Sequence, residues 1–357
     1  MIARRLLAAA ALAGLAFTSD AFAQIAVRYA GRSTVEVPPE LSGGFGGISG
    51  IDRDARGRWY MISDDRSEHA PARFYVARLL PRNGMPVLRV LSVHSLRDAR
   101  GQTFARDRSQ GEVADGEAIR ADGRMLIWAS EGGGGFGPSV RRMTRDGRYL
   151  SQIALPGHFA FDSAGLRGPR PNASIEGLSF AADGALWLSL EAPLIEDGPA
   201  AGLGRPALTR LTRIGADGAV NQFAYRLDPI RFANGGRRAD NGISEILALD
   251  AHRLLVLERS GIEQPDGSFA YHTRLYVADM RSGEDVVSQR PLPANVRPVT
   301  KTLLLDFDTV PGPPLTNIEG MAWAPHGGDA QGRLLLITDS NFDADQPTTL
   351  VTLDVAR

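Results

Sequence analysis

The chain has 357 residues, 43% of them apolar, enough for a sizeable core in one large domain or two. Lys and Arg together number 40 against 41 Asp and Glu, so no net field of either sign draws in nucleic acid or an anionic membrane surface. Cysteine is absent, which removes disulfides, thiolate metal sites and a Cys nucleophile together and leaves oxygen or imidazole to hold any metal.

Residues 1–23 read as a secretory signal. Arg4-Arg5 is the positive n-region, Leu6 to Phe17 the apolar h-region, and Ala21-Phe22-Ala23 an A-x-A cleavage site before Gln24. The apolar run is about twelve residues where a bilayer needs ~20, so no membrane span is expected after cleavage. The mature chain is then a single domain, 24–357, in the periplasm or outside the cell. That setting offers calcium and no ATP pool, and no GxGxxG or Walker motif contradicts it.

The next segment, Ile25 to Val37, reads as a strand without a hairpin partner. After it one pattern recurs five times: a short step, a tight turn, then an apolar run ending on an acid. The copies are 47–51 leading to 57–64, 115–119 to 123–131, 174–178 to 184–191, 242–246 to 251–258, and 317–321 to 332–339. In four copies the closing acid lies seven residues after the small residue of the turn, and the second copy carries one more, as a β-bulge would give.

Each copy predicts a hairpin, with two further strands behind it: Phe74–Leu80 with Pro86–Val93, Ala207–Ile214 with Ala219–Leu227, and Thr273–Met280 with Asp285–Gln289. The last copy has its third strand at Thr348–Val355 and then runs out of chain. An unpaired N-terminal strand and a last repeat short of one strand predict an all-β, single β-propeller of four-stranded blades, the last blade closed by the N-terminus. Five repeats are countable. The stretches Arg97–Glu112, Gly157–Asn172 and Leu292–Pro314 read first as loop insertions, although a sixth, degenerate blade has room there.

In a propeller the first strand of each blade lines the channel and the end of the second returns beside it, so the motif acids should converge. These are Glu117, Glu176 and Glu319 on first strands, and Asp64, Glu131, Glu191, Glu258 and Asp339 at second-strand ends. Confined carboxylates repel and call for protons or cations. Outside the cell the fitting ion is calcium, which takes six to eight oxygens, and Ser49, Ser244 and Asn317 could add neutral ones. Arg66 and Arg259 follow two of these acids and are placed to fork onto an oxyanion. A cation-bound water would attack an ester, with Glu176 or Glu319 as base and His69 near the same face. The six histidines show no zinc spacing, and no GxSxG elbow exists.

At these residues the sequence resembles the phytase-like family labelled "esterase-like activity of phytase", exported bacterial propeller proteins. The resemblance rests on Ile-Glu-Gly-Leu/Met at 175–178 and 318–321, Gly-Ile-Ser at 47–49 and 242–244, Ser63-Asp64-Asp65-Arg66, Leu257-Glu258-Arg259-Ser260 and Thr338-Asp339-Ser340-Asn341. It implies a propeller usually described as six-bladed and a calcium-dependent hydrolase of phosphoric or other esters. A small-molecule ester or phosphoester partner and a monomer are expected; a lactonase and a non-catalytic binding propeller are the alternatives. A single lysine, Lys301, gives little of the basic surface that phytate itself would favour.

Overall fold

The computed structural model describes residues 25–232, 238–325 and 332–356, and the expected signal 1–23 lies outside them. The leading strand is β1 (Ala26–Thr34). Blade 1 follows as β2 (Ile48–Arg53), β3 (Arg58–Ser63), β4 (Arg73–Arg82) and β5 (Met85–Ser95). Blade 2 is β6 (Gly116–Asp122), β7 (Met125–Ser130), β8 (Ser139–Thr144) and β9 (Tyr149–Ile153), and blade 3 is β10 (Ile175–Phe180), β11 (Leu186–Leu190), β12 (Ala207–Ile214) and β13 (Val220–Leu227). Blade 4 comprises β14 (Ala239–Ala248), β15 (Arg253–Glu263), β16 (Phe269–Asp279) and β17 (Thr300–Asp306). Blade 5 comprises β18 (Ile318–Trp323), β19 (Gly332–Thr338), β20 (Thr349–Ala356) and, antiparallel to β20, the N-terminal β1. Short 3-10 turns are the sole helices among the described residues, and none is long and apolar enough to cross a membrane.

The second strands explain how five sheets make one molecule. Each is apolar at consecutive positions, the pattern of a strand buried on both faces. Along β3, Trp59 and Met61 pack toward blade 5 while Tyr60 and Ile62 pack toward blade 2. Along β15, Leu254 and Val256 face blade 3, whereas Leu255 and Leu257 face blade 5. Every pair of neighbouring blades thus encloses its own core, and the fifth core, between blades 5 and 1, closes the circle. First strands touch in the same cyclic order, β2, β6, β10, β14, β18 and back to β2.

Glycine is required where these strands crowd the axis. A Cβ on Gly177 would come within 2.7 Å of the Ile246 backbone nitrogen, and one on Gly320 within 2.9 Å of that of Ile51.

Four expectations need correction. No sixth blade exists among the described residues: 97–112 and 157–172 are loops, but 292–314 contains β17, the fourth strand of blade 4. Asp285–Gln289, expected in that role, instead docks on the outer strand of blade 3. There the Val286 amide donates to Gln222 O at 2.8 Å, and the Val286 side chain is buried with Ala224, Leu292 and Val296. The N-terminal strand ends at Thr34, after which Glu36 pairs with β5 of blade 1 instead. Finally, the extra residue of the second copy comes from a tighter turn, with Asp122 opposite Met125, and not from a bulge in β7.

Candidate functional site

Bulges do occur, and they sit where the chemistry is. Each first strand carries one residue without a cross-strand partner: Ser49, Glu117, Glu176, Ser244 and Glu319. An extra residue on one strand bends it and re-aims the side chain; here Glu117, Glu176 and Glu319 line one cavity at the mouth of the channel. In four blades the residue after the second strand returns to that mouth. The amides of Asp64, Glu131, Glu191 and Asp339 donate to the carbonyls of Gly47, Asp115, Ser174 and Asn317 at 2.7–3.0 Å. Gly47 has φ +60°, and a Cβ there would lie 2.0 Å from Oδ1 of Asp64, so only glycine admits this approach.

The fourth blade departs from the expected ring. Opposite the bulge stand Ser63, Ser130, Leu190, Thr338 and, in blade 4, Glu258. Glu258 is thus one register position short of the other acids, and a one-residue offset turns a strand side chain to the opposite face. It lies away from the cavity, accepting from Tyr225 Oη at 2.6 Å and the Asp228 amide at 2.9 Å and pairing with Lys301. Arg259 takes the ring position instead. Its Nη2 donates to Oε1 of Glu191 at 2.9 Å. Turn spacing equates Ala251 with Gly57, but the hairpin loops are 54–58 and 249–253, so Gly57 corresponds to His252.

The remaining carboxylates converge in three groups, each with ligand atoms within 4.8 Å of one another: Asp64, Glu319 and Asp339; Asp115, Glu117 and Glu131; Glu131, Glu176 and Glu191. Asp115 was not among the expected site residues, although an acid two places before the bulge was its available signal.

Burial dominates their electrostatics. It pushes Asp64 well above the ordinary carboxyl range, with Asp339 and Glu319 adding repulsion. Burial likewise raises Glu117, Glu131 and Glu176 well above that range, with repulsion added chiefly by Glu176 at Glu117, by Glu191 and Asp115 at Glu131, and by Glu131 and Glu191 at Glu176. Glu191 goes up to about 7 despite Arg259, and Glu319, beside Asp339, to about 8.

Opposing these acids, Arg66 donates from Nε to Oδ2 of Asp115 at 2.7 Å and pairs with Asn172 at its tip. His69 lines the same cavity at its exposed rim, with its ring stacked 4.0 Å from that of Phe342, and is not a member of the three acid groups. Asp65, next to Asp64, is structural: it pairs with buried Arg73 at 2.6 Å and accepts from the amides of Glu68, His69 and Ala70.

Several solved structures are similar to this chain at low identity. A thermostable family-43 glycoside hydrolase is 11% identical over 88% of this chain and 90% of its own, with a TM-score of 0.46. A mannose phosphorylase from Leishmania mexicana is 11% identical over 91% and 88%, at 0.43, and a putative gluconolactonase 14% identical over 94% and 94%, at 0.36. These scores lie below 0.5, and nothing about the chemistry of this chain follows from them. No curated protein matches the chain. The profile of one family, described as Phytase-like, esterase-like activity of phytase, matches residues 43–342, a span that takes in every carboxylate of the three groups and both ring arginines. The chain belongs to that phytase-like family.

Proposed function

We propose that the protein is an exported, calcium-dependent hydrolase of phosphoric or carboxylic esters, with the ester held over the acidic ring by Arg66 and Arg259. One observation carries the reading. Within the Asp64 group, Glu319 Oε2, Asp339 Oδ2 and the adjoining Asn317 Oδ1 are buried with no hydrogen-bond partner. A buried oxygen left unpaired costs about 1–3 kcal/mol, and three together at one carboxylate cluster fit a hard cation that prefers carboxylate and amide oxygens. Asp64, Glu319, Asp339 and Asn317 would hold one such ion, and the groups centred on Glu131 offer a second set.

A bound cation would neutralise the ring, polarise the ester and ease deprotonation of water. The chain's own residues do the rest. Arg66 and Arg259 present forked donors that match two oxygens of a phosphoryl or carboxylate group. Glu176, whose carboxyl burial and Glu131 hold well above the usual range, would take the proton of the attacking water. The cavity, about 830 Å3, is large enough for a small-molecule ester. An export signal at 1–23 would deliver the chain to a calcium-containing compartment.

The test is a substrate panel. Protein freed of metal by chelation and then given calcium should hydrolyse at least one phosphomonoester, phosphodiester, carboxyl ester or lactone, and Glu176→Gln should abolish that turnover. Calcium that raises the melting temperature without turnover of any panel member would instead favour a binding propeller.

A further inference from the structure

A second cavity, of about 480 Å3, opens beside the acidic one between blades 4 and 5. Its walls are of the opposite character. Phe269, Phe307, Val310 and Leu315 dominate them, and Phe269, Tyr271 and Gln346 belong to both cavities, so the two share one partition. Aromatic surfaces continue along it. Phe269 and Tyr271 stack with centroids 6.3 Å apart, and Phe232, nearly half exposed and outside both linings, lies 5.3 Å from the ring of the lining residue His272. Nδ1 of His272 is held by Oδ2 of Asp308 at 2.7 Å, which fixes the plane of the imidazole as part of the wall.

A groove of aromatic faces favours flat rings, which gain from both burial and ring-to-ring geometry. The two cavities adjoin across Phe269, Tyr271 and Gln346, so one molecule bridging that edge would occupy both. We propose that this groove is a subsite for an apolar, ring-bearing group carried by the substrate whose ester end lies at the acidic ring. The proposal rests on the hydrolase reading and narrows it: the substrate class is an aryl or similarly ring-substituted ester, in place of a compact polyphosphate that is charged all round.

The experiment pairs kinetics with a turnover-free measurement. Wild type, Val310→Trp and Ala270→Trp, each filling the groove from a different wall, are compared on ethyl and 2-naphthyl esters of the same acid in calcium. Binding of 2-naphthol alone is followed by its fluorescence. Filling the groove should lower the naphthyl-over-ethyl preference in kcat/KM about tenfold or more, the loss expected for one buried ring system. Saturable 2-naphthol binding should be lost in both variants, while their melting temperatures report that they fold. An unchanged preference, or 2-naphthol binding that is absent from wild type or equal in all three proteins, overturns the proposal. If no ester is hydrolysed yet 2-naphthol binding disappears in both variants, the groove stands as a ring-binding site and the hydrolase reading alone falls.

Discussion

Nη2 of Arg120, from the second blade, meets Oε2 of Glu245, from the fourth, at 2.6 Å across the channel between blades that are not neighbours. Arg120 also donates to the carbonyls of Ile51 and Ile246, tying three blades to one guanidinium. Both side chains are buried, and Glu245 stands where three other blades have the crowding glycines Gly50, Gly177 and Gly320. The pair crosses the channel lined by the first strands, where four blades bring their small residues together.

That geometry predicts a marked asymmetry in stability. Arg120→Ala leaves a buried carboxylate alone and should cost about 3–5 kcal/mol, whereas a paired replacement of Arg120 and Glu245 by Met should be nearly neutral. Denaturant unfolding of the two variants measures both. Equal losses would show that the guanidinium's bonds to the Ile51 and Ile246 carbonyls, and not the ion pair, hold the channel.

Acidity should act on the calcium-free protein in an unusual direction. A carboxyl whose folded pKa is raised contributes stability that is fully present below its unfolded value of about 4.3. That contribution is lost as the pH rises through the folded values, about 7 for Glu191 and about 8 for Glu319. The melting temperature without metal should therefore fall between pH 5 and pH 9, and added calcium should raise it more at pH 8 than at pH 5. A metal-free melting temperature that climbs over this range would contradict the burial of the ring.

Calcium affinity should separate ring acids from their neighbour in sequence. Asp339→Asn and Glu319→Gln each remove a charge from the cluster with unpartnered oxygens and should weaken binding about tenfold or more in calorimetric titration, since one charged contact is worth about 1.5–3 kcal/mol. Glu258→Gln should leave calcium affinity as it is and lower stability by about 1–3 kcal/mol, because Tyr225 and Lys301 lose a charged partner.

Arg66 and Arg259 should be felt in substrate binding. Replacing either by Met should raise KM for an anionic ester about tenfold to a hundredfold, the loss of one charge-assisted hydrogen bond. For Arg259→Met the loss of the Glu191 partner should also move the basic limb of any calcium-free titration upward. A KM unchanged in both variants would place the oxyanion elsewhere in the cavity.

Much of this molecule is legible along the chain. Five repeats, the two-sided apolar runs of the second strands and the last repeat short of a strand dictate a ring closed by β1, because each hairpin buries both faces only between two neighbours. The repeat also marks Glu117, Glu176 and Glu319, whose places recur locally in sequence. Register is another matter. Arg259 replaced Glu258 in the ring because side-chain direction depends on the strand partner opposite, which the turn spacing mistook by one residue. Asp115 joined the cluster, β17 displaced 285–289 from the sheet edge, and Arg120 found Glu245 across the channel, all through contacts between segments far apart in sequence. Local periodicity determined which residues form strands and which acids approach the axis. The closed ring decided which side chains face one another there, since convergence at a common axis is a property of five blades together and of none alone.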